Sequence, residues 1–404
     1  MRFYQTIMAA LAPFVLLGRM WRGEGFGDLA ERLGRAPVTN PQMVLWLHGA
    51  SNGELTSARW LVEAILAASP GLQILVTANT TSGRNMVAEW GMGRVHARLA
   101  PLDFALPLRA FFQHWQPLAL ISLEAEFWPA RFAACKTRGV AVFMIGARMS
   151  ARSFARWQRF SGLTAAALSA VRLLSAQDAS SQSRIQALGL PVGVTEALFD
   201  LKAEAIARLP RPALPPRAER ACRLLAASTH DGEDAIVLDA FLNAPNFTEL
   251  ILAPRHPSRA PAIIRLLTER GIAFAQRSGG ADPGGAPVFL ADTLGEMDLW
   301  YARAGVVVIG GTYAEKGGHT PWEPARFDAA ILHGPSQWNF AAAFTRLDRA
   351  KAACETPASG LAASLAGMDA ARQDRMAAAA RTELAQSGDA NTLLGPLFTA
   401  LRIP

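Results

Sequence analysis

Glu54 is the first carboxylate after a short apolar run, Met43–Leu47, and a turn of small residues, His48-Gly49-Ala50-Ser51-Asn52-Gly53. Helical spacing follows over Thr56–Leu66. A strand ending in a small-residue turn at a helix N-terminus is where open α/β sheets place their chemistry. Free backbone N–H groups and the positive end of the helix dipole predict an ionised Glu54, the state a general base requires. For the stretch taken alone, a first-turn carboxylate held by the dipole is the simpler account, and a base is the alternative. The same turn, Gly49-Ala50-Ser51-Asn52-Gly53, also fits the GxSxG nucleophile elbow, with Ser51 as an acyl-transfer nucleophile. A serine in a glycine-rich turn is the plainer account there, because the scattered histidines offer no partner pair.

A second group of candidates lies in the C-terminal half. Gly310-Gly311 closes a strand, and Gly317-Gly318-His319-Thr320-Pro321-Trp322-Glu323-Pro324 follows. Glycines there allow close backbone approach, Pro321 suits a first helical turn, and free N–H groups make an anion site. Glu323 could accept from ribose hydroxyls, as an acidic residue does in dinucleotide sites. Pro254-Arg255-His256 ends another strand and offers Arg255 to a phosphate. Ser228-Thr229-His230 and Asp292-Thr293-Leu294-Gly295-Glu296-Met297 complete four loops, each expected at the carboxyl end of a strand. There is no GxGxxG, GxxxxGK[ST] or HExxH, no DxD pair, and no ligand-like histidine spacing, so neither a metal nor a cofactor is expected.

These loops need parallel sheets to hold them. Strand-like runs at Gln73–Thr77, Leu118–Ser122, Val140–Ile145 and Val171–Ser175 alternate with helical segments, which predicts a first Rossmann-like domain. Pro210, Pro212, Pro215 and Pro216 mark a linker. The alternation restarts with strands at Arg223–Ala227, Glu249–Ala253, Ile272–Ala275, Val288–Ala291, Val306–Ile309 and Ala329–His333. The expected boundaries are an N-terminal helix at 1–22, a first domain at 23–203, a linker at 204–220 and a second domain at 221–404. The last helix is expected to return to the first domain. A chain of 404 residues, 51% hydrophobic and 18% charged, fits two globular domains.

A net charge of +7 without a basic block excludes a nucleic-acid groove and fits anionic small molecules or an anionic membrane surface. Three scattered cysteines suggest a reducing compartment. Ile7–Leu17 is too short to span a bilayer and lacks a clear signal-peptide cleavage site. With Trp21 and the flanking arginines it reads as an interfacial anchor on the cytoplasmic leaflet.

The ordered set His48–Glu54, Glu124–Pro129, Ala147–Ser150, Ala227–His230, Ala253–Pro257, Asp292–Glu296 and Gly317–Pro324 resembles the 3-deoxy-D-manno-octulosonic acid (Kdo) transferases of lipopolysaccharide assembly. The resemblance runs from about Glu31-Arg32-Leu33-Gly34 to the C-terminal helices. It implies a GT-B glycosyltransferase with two Rossmann-like domains facing across a cleft, at the cytoplasmic face of the inner membrane. It further implies inverting, metal-independent transfer of Kdo from CMP-Kdo to the lipid A precursor. Glu54 matches the family's general base, and Glu124 matches a second carboxylate assisting the transition state. Pro254-Arg255, Gly295-Glu296-Met297 and Thr320-Pro321-Trp322-Glu323 match the CMP-binding loops. Ser51, Ser228, Thr229, His230, Gly318 and His319 are additional candidates for a donor or anion loop.

The chain also departs from that pattern. Glu196-Ala197-Leu198-Phe199-Asp200 stands where the family carries Gly-Asn-Leu-Lys-Phe-Asp, so the family's lysine is missing and Lys202 is out of register. Gly146 and Thr320 each replace an asparagine, and Asn52 replaces a small apolar residue. Losing a donor aimed at developing charge can cost roughly 3 kcal/mol of barrier. A transferase with an altered donor or acceptor is therefore the alternative, and a membrane-bound scaffold without activity a more distant one.

Overall fold

Every residue of the strand Val44–Gly49 (β1) is buried, as expected for a strand covered on both faces. In the computed structural model, which describes residues 2–35, 43–124, 126–386 and 390–402, β1 is joined by Gln73–Ala78 (β2), Val95–Leu99 (β3), Ala119–Leu123 (β4), Ala141–Ala147 (β5) and Val171–Ala176 (β6). All pair in parallel in the order β3-β2-β1-β4-β5-β6. Alternate residues feed opposite cores. Leu45 and Leu47 pack with Leu61 and Ile65 of the helix Asn52–Ala68, whereas Val44 and Trp46 pack with Phe111 and Phe112. The strand order reverses between β1 and β4, and such a switch point opens a crevice at the carboxyl ends of the strands.

The second unit repeats the plan with Arg223–Thr229 (β7), Glu249–Pro254 (β8), Phe274–Gln276 (β9), Val288–Leu290 (β10), Val306–Ile309 (β11), Ala330–His333 (β12) and Ala353–Glu355 (β13). These pair in parallel in the order β13-β12-β11-β7-β8-β10-β9. Leu224, Leu250, Val288, Val306 and Leu332 share a core with Val237 and Phe241 of the helix Glu233–Leu242.

Several boundaries differ from those read in the sequence. The sequence pattern does not mark the strands β3 and β13. Both are edge strands, and the Val-His-Ala-Arg-Leu of β3 is only half buried, so neither shows the continuous apolar run of a central strand. The first unit extends to Ala205 and the second starts at Ile206. The prolines at 210–216 thus lie inside the second unit, preceded by a helix at Leu201–Ala207. The helix Ala390–Leu401 belongs to the first unit, where Leu393 and Leu397 join the core on the Leu45 face.

The N-terminal helix Arg2–Trp21 is tied to its unit at both ends. The Tyr4 hydroxyl donates to Asp103 at 2.9 Å, and Arg19 pairs with Glu24 at 2.9 Å. Between these ties Leu11, Phe14 and Leu17 are exposed, with Phe14 at 72% and Trp21 at 92%. No described helix is long and apolar enough to cross a membrane.

Candidate functional site

In the first unit the switch point gathers Glu54 after β1 and Glu124 and Glu126 after β4. Ser51 is the N-cap of the helix Asn52–Ala68. Its hydroxyl accepts the Glu54 N–H at 3.3 Å, while the Glu54 carboxylate reaches back to the Ala50 N–H at 2.7 Å. Ser-x-x-Glu is the spacing of a capping box. Ser51 is accordingly engaged as a helix cap, which sets aside the nucleophile elbow. Gly49 is needed because a Cβ there would meet Leu55 at 2.9 Å, closing the approach of strand to helix.

Glu54 does not keep the ordinary acidity expected of it. Burial pushes its pKa up from 4.5 to about 7 and Glu124 and Glu126 add to the rise, while the Ala50 N–H and Lys202 oppose it. Desolvation and neighbouring carboxylates outweigh the helix N-terminus. A carboxyl that titrates near neutrality can take a proton from a hydroxyl with little mismatch, which suits a general base better than a fully ionised one.

Glu124 is buried and sits in the left-handed backbone region at φ 44°. Its N–H donates to Ile145 and its carbonyl accepts from Arg148, at 3.1 Å each. Lys202 Nζ lies 2.9 Å from both of its carboxylate oxygens. The lysine that is out of register in sequence thus ends on this carboxylate. Gly146, at φ 60°, faces Leu201, which would lie 2.8 Å from a Cβ at that position. Ala125 lies outside the described residues.

Sequence reasoning passed over the support for this pair. Glu126 accepts from His48 Nε2 at 3.0 Å, Asn79 Nδ2 at 3.0 Å and Trp128 Nε1 at 2.6 Å. Burial alone would raise its pKa, but His48, Trp128 and Arg131 outweigh that and hold it at about 2. The fully buried His48 is pushed down to about 4, first by burial and then by Arg131. His48 Nε2 faces the ionised Glu126 and so carries a proton, while Nδ1 lies 2.9 Å from the Thr77 hydroxyl and 3.1 Å from the Thr77 carbonyl oxygen, and Trp46 Nε1–H donates to that hydroxyl. Glu126 is thus a fixed negative charge facing Glu54. Two of its three donors, His48 and Asn79, come from distant segments, and Trp128 stands two residues on.

In the second unit the four loops leave the adjacent strands β11, β7, β8 and β10, so parallel pairing puts them on one sheet edge. At its centre is Glu233, unremarked in the sequence and buried. Its carboxylate accepts the N–H groups of His230 (2.8 Å), Gly311 (2.6 Å), Tyr313 (2.8 Å) and Ala314 (3.0 Å). Ser228, at φ 59°, forms the bulge that ends β7. Thr229 donates to Asp234 at 2.5 Å. Gly310 has to be glycine, because a Cβ there would lie 2.2 Å from the Ser228 carbonyl oxygen.

The His230 and His319 rings stack at 5.2 Å with their Nε2 atoms 3.0 Å apart, so at most one of them carries a charge. Burial, His230 and Arg255 push His319 down to about 4. Arg255, after Pro254, is exposed and makes no ion pair among the described residues, and its charge is felt at both His319 and Glu323. Gly318 N–H is occupied by the Gly311 carbonyl.

Glu323 is raised by burial and accepts the Tyr301 hydroxyl at 3.0 Å, so only part of its hydrogen-bonding capacity is open to a ligand. Pro321 is the N-cap of the five-residue helix Trp322–Arg326 and not its first turn, with Thr320 Oγ1 accepting the Trp322 N–H at 3.4 Å. Gly295, at φ 83°, turns the chain before Glu296, which pairs with Arg277 and accepts from Thr293, and Met297 starts the next helix. Among the described residues no group of three or more His, Cys, Asp or Glu could hold a metal ion.

Residues 27–205 match the sequence family described as 3-Deoxy-D-manno-octulosonic-acid transferase (kdotransferase). The 3-deoxy-D-manno-octulosonic acid transferase of Bordetella pertussis is 32% identical over 378 residues, 88% of this chain and 87% of that protein. That of Haemophilus influenzae is 32% identical over 334 residues, 79% and 77% of the two chains. Among solved structures, the UDP-GlcNAc 2-epimerase of Neisseria meningitidis aligns with a TM-score of 0.58 at 9% identity, over 88% of this chain and 100% of that one. HepE of Anabaena in complex with UDP and glucose aligns with a TM-score of 0.59 at 12% identity, over 89% and 100%. These two likenesses show the fold, a pair of parallel-sheet α/β domains of the GT-B type. Identity at this level over nearly the whole chain places the protein in the 3-deoxy-D-manno-octulosonic acid transferase family, which makes it a Kdo transferase and hence a glycosyltransferase.

Proposed function

We propose that the chain transfers Kdo from CMP-Kdo to the lipid A precursor by a single inverting displacement that needs no metal. The observation that carries this reading is the Glu54 carboxyl, held near pKa 7 beside Glu124 and Lys202. Glu54 removes the proton from the acceptor hydroxyl as its oxygen forms a bond to the anomeric carbon. The bond from that carbon to the CMP phosphate oxygen breaks, and CMP leaves with the electron pair. Glu124, its charge balanced by Lys202, faces the positive character that develops at the sugar. In the second unit Arg255 receives the CMP phosphate, and the remaining Glu323 oxygen accepts from the ribose.

Membrane attachment on the cytoplasmic side rests on the N-terminal helix, which presents Leu11, Phe14, Leu17 and Trp21 to solvent with Arg19 and Arg22 nearby. An amphipathic helix of this kind lies in the interface instead of crossing it.

The decisive experiment is transfer from CMP-Kdo to a tetra-acylated lipid A precursor by purified protein in EDTA. A Kdo-modified product, absent in Glu54→Gln while CMP still binds, supports the reading. CMP binding without product points to a changed donor or acceptor, and loss of both points to a scaffold.

A further inference from the structure

The second unit carries a cavity of about 620 Å³ at the sheet edge opposite the four loops. Its walls come from segments that precede strands: the proline-rich stretch and the helix Arg217–Arg220 before β7, Asp328 before β12, and one face of the helix Ala370–Ala385. On that last face Asp374, Ala377, Ala378 and Arg381 follow helical spacing, and the two alanines leave the space open. The lining holds four guanidinium groups, from Arg211, Arg217, Arg220 and Arg381, against the carboxylates of Asp328 and Asp374.

The carboxylates are already shared. Arg211 binds one oxygen of Asp328 at 2.9 Å and Arg381 the other at 2.8 Å, while Arg217 holds Asp374 at 2.6 Å. Arg220, only 2% exposed, turns one nitrogen to the carbonyls of Ala304 and Phe327, but its Nε makes no hydrogen bond. Arg217 Nη1 is likewise buried without a partner. Burial and the charge of Arg217 push Arg220 down to about 10. A surplus of two positive charges around an open space calls for a mobile anion.

We infer that this cavity is a second anion site, for a small soluble phosphorylated molecule, separate from the loops that receive the sugar nucleotide. Its volume falls in the range of small-ligand sites, and planar guanidinium forks suit phosphate oxygens. Binding there would bridge the proline-rich segment and the helix Ala370–Ala385 through Arg211 and Arg381.

The probe is inorganic pyrophosphate, titrated calorimetrically into the intact protein. Saturable binding is expected to persist in Arg255→Ala, which removes the cation of the loop edge. It is expected to weaken about tenfold in Arg381→Ala and in Arg211→Ala, as for loss of one charge-assisted contact. Both side chains are partly exposed, and matching circular dichroism and melting curves check that the variants fold. Asp374→Asn removes a competing carboxylate and is expected to tighten binding, an effect that damage to the fold would not produce. Absence of saturable binding overturns the inference. So does binding that is lost in Arg255→Ala and unchanged in Arg211→Ala and Arg381→Ala, because the anion would then sit at the loop edge.

Discussion

Lys202 Nζ sits 2.9 Å from both carboxylate oxygens of Glu124, although 78 residues separate the two in sequence. Asp200 arranges this contact by capping the helix Leu201–Ala207, its Oδ1 accepting the N–H groups of Lys202 and Ala203 at 3.0 and 3.2 Å. Leu201 packs against Gly146, which fixes the helix over the end of β5. The cation therefore depends on the turn that starts this helix and not on the position held by the family's lysine.

Replacing Lys202 by Met leaves Glu124 buried without its partner and removes a charge that lowers the Glu54 pKa. The Glu54 titration is expected to move upward, and a rise of one unit lowers the ionised fraction at pH 7 about fivefold. The pH–rate profile of Lys202→Met should shift to alkaline pH and recover part of the loss there, while Lys202→Arg restores the profile. A uniform loss at every pH would contradict this coupling.

In the unaltered enzyme, kcat is expected to rise with pH through about 7, following ionisation of Glu54. Stability runs the other way. The folded pKa exceeds the ordinary 4.5, so the folded state binds the extra proton and loses stability as pH climbs from 4.5 through about 7. Glu54→Gln should thus abolish turnover yet raise stability at pH 8 by about 2 kcal/mol, with little change at pH 4. Urea unfolding at the two pH values measures this.

His48 and Glu126 make the first unit acid-labile. His48 titrates near 4 in the folded chain against an ordinary 6.5, so stability falls as pH drops from 6.5 towards 4. Glu126, lowered from 4.5 to about 2, adds stability above 4.5 that is lost as pH falls towards 2. His48→Leu removes one of the three donors to Glu126 and should cost about 2 kcal/mol at pH 7 by chemical denaturation. It should also flatten the dependence between pH 6.5 and 4.

Glu233 organises the loop edge of the second unit through four backbone N–H groups. Glu233→Gln exchanges an acceptor for an amide N–H that faces donors. CMP affinity, read by calorimetry, is expected to fall at least about tenfold, while the pH behaviour assigned to Glu54 is unchanged.

The exposed side of the N-terminal helix is tested by Phe14→Ser with Trp21→Ser. Sedimentation with anionic vesicles should decrease strongly, and transfer to a short-chain, soluble acceptor should be unaffected, because both side chains project into solvent.

Much of this architecture is written in local pattern. The continuous apolar runs of β1, β4, β7 and β11 identify buried parallel strands, because a strand covered on both faces has no polar side. Parallel pairing then places the loops at Ser228–His230, Pro254–His256, Asp292–Met297 and Gly310–Glu323 together, and Gly310 marks backbone with no space for a side chain. The tertiary structure alone decided the rest. The acidity of Glu54 is set by burial and by Glu124 and Glu126, charges some 70 residues away, and those reverse what the helix N-terminus would do locally. Lys202, His48 and Glu233 act through contacts between distant segments, which no spacing encodes. The edge strands β3 and β13 are likewise settled by what packs against them. Periodicity records which face of a segment is buried, while partners and electrostatics follow from which segments meet.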